Sequence, residues 1–124
     1  MILIDSVGWI EFFTEGPLAA KYAKHFESIS EVLVPTLVLY EVYRKIKRER
    51  GGENGEIAVS LMQRGQTRLL TEELALQAVD LGLRHGLAMA DSIVYATAIS
   101  AQAKLITSDK DLKDLPNVIY YAKP

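Results

Sequence analysis

Residues 2–6 read Ile2-Leu3-Ile4-Asp5-Ser6, a short apolar run stopped by a carboxylate and a hydroxyl. A run of this length without alternation fits a strand buried on both faces. The pattern returns at Val32 to Val34, stopped by Pro35, at Leu105-Ile106-Thr107 and at Val118 to Tyr120, with a weaker candidate at Arg68 to Leu70. Amphipathic stretches fill the intervals. Trp9, Ile10, Phe12 and Phe13 suggest a short helix, and Gly16-Pro17 opens another with Leu18, Tyr22 and Phe26 at four-residue spacing. Thr36 is a candidate N-cap for a helix reaching Arg50, ended by Gly51-Gly52. Further helices are expected from Glu53 to Arg64, from a Thr71 cap to near Gly86, and from Ala90 to Ala101, with a mobile turn at 51–55. Strands alternating with helices in this way imply a parallel α/β sheet covered on both faces.

The 124 residues fit one domain, 1–124, with no linker or repeat. At 49% hydrophobic and 24% charged, the chain can bury a core without disulfide staples. The absence of cysteine excludes thiolate zinc sites and cysteine nucleophiles and suits a reducing compartment. A net charge of -2 means that any nucleic-acid contact needs a local basic patch. No positive region precedes the first apolar run and no stretch approaches the ~20 apolar residues of a membrane span, so a soluble, cytoplasmic protein is expected.

In an open parallel sheet, ligands sit at the carboxyl ends of the strands. Asp5 follows the first strand directly, and Asp109 lies two residues after Thr107, so both belong on that edge. Asp91 falls at the start of the small-residue helix, where free N–H groups favour a charged carboxylate. Glu41 sits in a helix among Leu39, Val42 and Ile46, which are core-like. Taken singly, Asp5 and Asp109 also read as helix caps, Asp91 as an N-terminal charge, and Glu41 as the partner of Lys45 at i+4. Taken together, four converging carboxylates need a cation, because unit charges ~4 Å apart repel by roughly 4 kcal/mol at an effective dielectric near 20. All-oxygen donors favour Mg²⁺ or Mn²⁺ over zinc.

These residues give the chain a resemblance to the PIN-domain family, and within it to the VapC-type toxins. Ile2 to Ser6 looks like the family's first strand and its metal-binding Asp. Val34-Pro35-Thr36 followed by Leu39-Tyr40-Glu41-Val42 is similar to its second strand and helical Glu. Ala90-Asp91-Ser92 through Ala98 resembles its Asp-led small-residue helix, and Thr107-Ser108-Asp109-Lys110-Asp111 its closing Thr-x-Asp-x-Asp signature. The resemblance implies a three-layer α/β/α sandwich around a parallel sheet, one acidic pocket, and hydrolysis of RNA phosphodiester bonds. It further implies a homodimer and an antitoxin partner. Asp111 and Asp114 compete with Asp109 for the fourth acidic position, and the family pattern favours Asp109. Two residues depart from the family: Gly8, where relatives carry a bulkier side chain, and Leu112, where a Phe is common.

On this reading Asp5, Asp91 and Asp109 are metal ligands, and Glu41 binds a second metal or orients the attacking water. Thr107 and Ser6 hydrogen-bond the ligands from behind. Thr107 is equally an ordinary β-branched strand residue. Arg44, Lys45 and Arg48 follow Glu41 at three, four and seven residues, which places them on its helix face as an RNA-backbone guide or as cations suited to a helix C-terminus. His25 and His85 lack partners at ligand spacing. Tyr40, Tyr43 and Tyr95 read as core or interface, and Trp9, Phe12 and Phe13 as a dimer or antitoxin contact. Two rivals compete: a receiver-like phospho-accepting domain, which needs paired acids after the first strand where Asp5 is followed by Ser6-Val7, and a catalytically silent scaffold on the same fold.

Overall fold

The computed structural model describes residues 1–124. Its five strands are β1 (Ile2–Ile4), β2 (Val32–Pro35), β3 (Gln66–Arg68), β4 (Lys104–Thr107) and β5 (Val118–Tyr120). They form one sheet in the order β3-β2-β1-β4-β5, and every pairing is parallel. From β1 the chain steps outward through β2 to β3, then returns to the other side of β1 for β4 and β5. The order therefore reverses between β1 and β4. This is where a parallel sheet opens a crevice at its carboxyl edge. Leu3, Ile4, Leu33, Leu105 and Ile106 are fully buried, as helices on both faces require.

The helices are α1 (Ser6–Phe13), α2 (Ala19–Ala23), α3 (Thr36–Arg50), α4 (Gly52–Met62), α5 (Glu72–His85) and α6 (Met89–Ser100). Thr71 caps α5 as expected, its side chain accepting from the Leu74 N–H at 3.1 Å, and Glu72 and Glu73 occupy the first turn. Leu18, Tyr22 and Phe26 are all buried, but the helix they announce is not continuous. α2 passes into a 3₁₀ stretch, Lys24–Glu31, with a non-helical break at Ser28.

Several boundaries differ from the sequence reading. Thr36 is not an N-cap: β2 runs on through Pro35, which pairs with Arg68, and Thr36 is already the first helical residue. The expected turn at 51–55 shrinks to one residue. Gly51 takes φ +89°, a left-handed value open to glycine, and α4 begins at once. β3 lies two residues earlier than Arg68 to Leu70. Its three residues, Gln66 to Arg68, form an exposed edge with no apolar signature, held by register with Leu33 to Pro35. Trp9 is a core residue and not a contact surface. It is fully buried, and its ring stacks on Phe26 with centroids 4.2 Å apart. Phe12 and Phe13 pack around the same pair.

Candidate metal centre

Asp5 is fixed by the sheet itself. Its N–H donates to the Ile106 carbonyl at 3.1 Å, which carries the β1–β4 ladder one residue past β1. Its side chain is 4% exposed, and both oxygens are engaged. Oδ1 accepts from the Ser6 N–H at 2.7 Å, which caps α1, and Oδ2 accepts from the Thr107 hydroxyl at 2.7 Å. Thr107 Oγ1 in turn accepts from the Asp109 N–H at 3.0 Å. Asp109 Oδ1 accepts from the Asp111 N–H at 2.9 Å, capping the short 3₁₀ turn Lys110–Leu112. One chain of hydrogen bonds therefore runs from the end of β1 across the end of β4 and into the loop beyond.

Asp91 enters from the first turn of α6. Carboxylate oxygens of Asp91, Asp109 and Asp111 lie within 4.8 Å of one another. Burial, a hydrogen bond with Asp109 and the charges of Asp109, Asp5 and Asp111 push the Asp91 carboxyl up to about 7. Burial also raises Asp5, opposed by its bonds to Thr107 and Ser6 and reinforced by the charge of Asp109. Glu41, from the second turn of α3, is raised by burial and by the charge of Asp5, while the Ser6 side chain opposes the shift. Asp5, Asp91 and Asp109 thus share one electrostatic neighbourhood, which Glu41 joins through Asp5, although only Asp91 and Asp109 stand in the tightest group. Its third member is Asp111, which the sequence reading ranked behind Asp109. The i+2 spacing from Asp109 was its one signal. Asp114 is not in the group.

The alternative reading of Glu41 as the helix partner of Lys45 does not hold. Lys45 reaches Glu49 at 3.3 Å instead. Arg44 and Arg48 are exposed. His25 bonds the Tyr121 hydroxyl at 2.8 Å and His85 packs edge-on against Tyr95, so neither belongs to the acidic group. Tyr95 is buried with its hydroxyl on the Pro116 carbonyl, whereas Tyr40 is 63% exposed. One buried contact beside the site has no counterpart in the sequence reading: Tyr22 Oη and Ser108 Oγ, 2.7 Å apart and 86 residues apart in the chain. Pattern reasoning has no signal for a pairing so distant.

The donor set is entirely carboxylate oxygen, in a chain without cysteine. Crowded acids, with the Asp91 carboxyl pushed up to about 7, fit a hard divalent ion, which would take the place of the Asp91 proton.

The profile of the PIN domain family matches residues 2–118. None of the curated protein sequences matches the chain. Among solved structures, a toxin–antitoxin complex from Klebsiella pneumoniae superposes with a TM-score of 0.84 at 21% identity, covering 99% of this chain and 100% of the other. VapBC2 from Rickettsia felis, solved bound to a promoter DNA fragment, gives 0.76 at 17% identity over 98% of each chain. VapC20 from Mycobacterium tuberculosis, described as a toxin cleaving the sarcin-ricin loop, gives 0.72 at 17% identity over 84% of this chain and 85% of that one. At such identities the superpositions speak for the fold, and the match over residues 2–118 carries the assignment: the chain belongs to the PIN domain family.

Proposed function

We propose that this protein is a Mg²⁺- or Mn²⁺-dependent endoribonuclease and the toxin of a type II toxin–antitoxin pair. The observation that carries the reading is the meeting of Asp91, Asp109 and Asp111 within 4.8 Å beside buried Asp5. Structural likeness to chains of a toxin–antitoxin complex from Klebsiella and of VapBC2 from Rickettsia, and to a toxin from Mycobacterium, supports the biological setting.

Asp5, Asp91 and Asp109 would hold the ion, with Asp111 within reach of the same position. When bound, such an ion neutralises phosphoryl charge and acidifies coordinated water. The protein does the rest. Thr107 and Ser6 fix both oxygens of Asp5, so that little side-chain entropy is lost on ligation. Glu41, raised by burial, suits the orientation of the attacking water and the uptake of its proton at a side-chain oxygen. Exposed Arg44 and Arg48, with Lys45, follow Glu41 along α3 and draw the RNA backbone toward the carboxylates.

Protein partners have surfaces to meet. An apolar groove of about 480 Å³ runs between α5 and α6, lined by Leu70, Val79, Leu83 and Met89 among others. Leu76, Val79 and Leu83 on α5 are 63%, 56% and 81% exposed. An apolar face of this extent is unusual on a free monomer and marks a contact. We assign it to a second copy of the chain: across a two-fold axis the exposed Leu76, Val79 and Leu83 of one α5 meet the same residues of the other, and each copy covers the other's apolar face.

The deciding experiment compares wild type with Asp5→Asn and Asp91→Asn on structured and single-stranded RNA, with Mg²⁺, Mn²⁺ or chelator. Cleavage by wild type that disappears with either substitution and with chelator is expected. Cleavage that survives both substitutions, or ignores chelation, rejects the mechanism, and absence of cleavage with intact Mn²⁺ binding favours a silent scaffold.

A further inference from the structure

Gly8 lies in α1 against the Tyr22 ring, where no side chain fits. A Cβ built on Gly8 would run into the Tyr22 ring, lying 2.7 Å from its Cδ1 and 2.7 Å from Ile4 Cγ2. The missing side chain is therefore the space through which Tyr22, projecting from α2, passes beneath α1. Tyr22 is fully buried and Ser108 is 7% exposed. Their oxygens stand 2.7 Å apart, and either can donate.

Ser108 sits between the two residues that build the acidic loop. Thr107 holds Asp5 through its hydroxyl, and Asp109 hangs from that same hydroxyl by its N–H. Each of the three consecutive loop residues thus has its own anchor: Thr107 on Asp5, Ser108 on Tyr22, Asp109 on Thr107 and on the Asp111 N–H. Of these anchors, Tyr22 alone ties the loop to α2. The Tyr121 ring packs edge-on against Tyr22 at 5.2 Å, and the Tyr121 N–H donates to the Thr107 carbonyl, which closes the far side.

We infer that Tyr22, admitted by the bare backbone of Gly8, is a positioning residue that acts through Ser108 to hold the Thr107–Asp109 loop in its metal-binding arrangement. The inference rests on the proposed metal site. A buried hydroxyl pair has no solvent to replace a lost partner, so deleting either oxygen loosens the Thr107–Asp109 loop at Ser108.

The test is Mn²⁺ titration of the full chain, with free Mn²⁺ read by electron paramagnetic resonance. Tyr22→Phe and Ser108→Ala should each raise the Mn²⁺ Kd about tenfold, the lower end of the range for groups that support metal ligands. The double variant should be no worse than either single one, since both delete the same bond. Gly8→Ala should weaken binding in the same direction by displacing the ring. Tyr121→Phe, which deletes the His25 hydrogen bond but keeps its ring on Tyr22, should leave Kd unchanged. RNA cleavage by Tyr22→Phe should recover when Mn²⁺ is raised about tenfold. A Tyr22→Phe protein that binds Mn²⁺ like wild type, while Asp91→Asn does not bind, overturns the inference and leaves the metal reading standing. Equal weakening in Tyr121→Phe also overturns it, because general loosening would then suffice. Wild-type protein that fails to bind Mn²⁺ removes the metal reading and this inference with it.

Discussion

Replacing Asp91 with Asn should make the metal-free protein more stable and at the same time abolish its response to Mn²⁺. In the native state the Asp91 carboxyl is raised from 3.8 to about 7, first by burial and then by its neighbours Asp109, Asp5 and Asp111. Unit charges at the 4.8 Å limit of this cluster repel by roughly 3–4 kcal/mol at an effective dielectric near 20. A shift of that size corresponds to about 4 kcal/mol at face value. Asp91 is partly exposed, so water screens it, and about 1–2 kcal/mol is the part to expect in a measurement. The direction follows from proton linkage. Between pH 3.8 and about 7 the native state keeps a proton that the unfolded chain has lost, so stability falls as pH rises through that window. Asn mimics the protonated acid and does not titrate. The variant should therefore match wild type near pH 4 and exceed it by about 1–2 kcal/mol at pH 8, a rise of about 3–8 °C in Tm. Thermal and urea unfolding in chelator at several pH values measures this. Added Mn²⁺ at a hundred times its Kd should then stabilise wild type by about 2.7 kcal/mol and leave the variant unmoved. An Asn variant no more stable than wild type at pH 8, or an advantage that does not grow with pH, would refute the claim that these carboxylates are crowded.

Mn²⁺ binding near pH 6.5 should release a proton from Asp91, with less release at pH 8; calorimetry in two buffers of different ionisation enthalpy reads the number. Thr107→Val keeps shape but leaves Asp5 Oδ2 and the Asp109 N–H without a partner, at a cost of about 1–3 kcal/mol in unfolding free energy and at least a tenfold loss of Mn²⁺ affinity. Arg44→Ala with Arg48→Ala should raise KM for RNA with little change in kcat, and flatten the salt dependence of binding. Leu83→Glu, at a residue 81% exposed, should leave the unfolding free energy of the isolated chain within about 0.5 kcal/mol of wild type while shifting light-scattering mass toward the monomer.

The sheet and most of its strands were legible because their signals are local. A run such as Ile2 to Ile4 carries its own burial, and Thr71 ahead of Glu72 and Glu73 carries its own cap. What escaped was set by partners distant in sequence. β3 is exposed and polar, and only its register with Leu33 to Pro35 makes Gln66 to Arg68 a strand. Trp9 reads as a contact-surface residue because Phe26, the ring that covers it, lies past the end of α1 and the whole of α2. The strand order could not be read at all, since nothing local states that β1 lies between β2 and β4.

The carboxylates show a different kind of illegibility. From sequence, Asp5 and Asp109 had to be weighed as either helix caps or metal ligands, as though one role excluded the other. In the structure both are caps: Asp5 Oδ1 accepts from Ser6 and Asp109 Oδ1 from Asp111. A carboxylate offers about four lone-pair sites, and a cap occupies one of them. Asp5, bonded at both oxygens, still has about two to offer, and those two now point in a direction fixed by the Ser6 and Thr107 bonds. On the proposed metal site, the capping bond is therefore what would orient the ligand. A free Asp at the same place would have to give up its rotamer entropy when a cation arrived, and a capped one has already done so. On the proposed reading, the capping role of Asp5 and Asp109 is the means by which each is held ready for a cation, so the two roles that compete in the sequence are compatible in the structure.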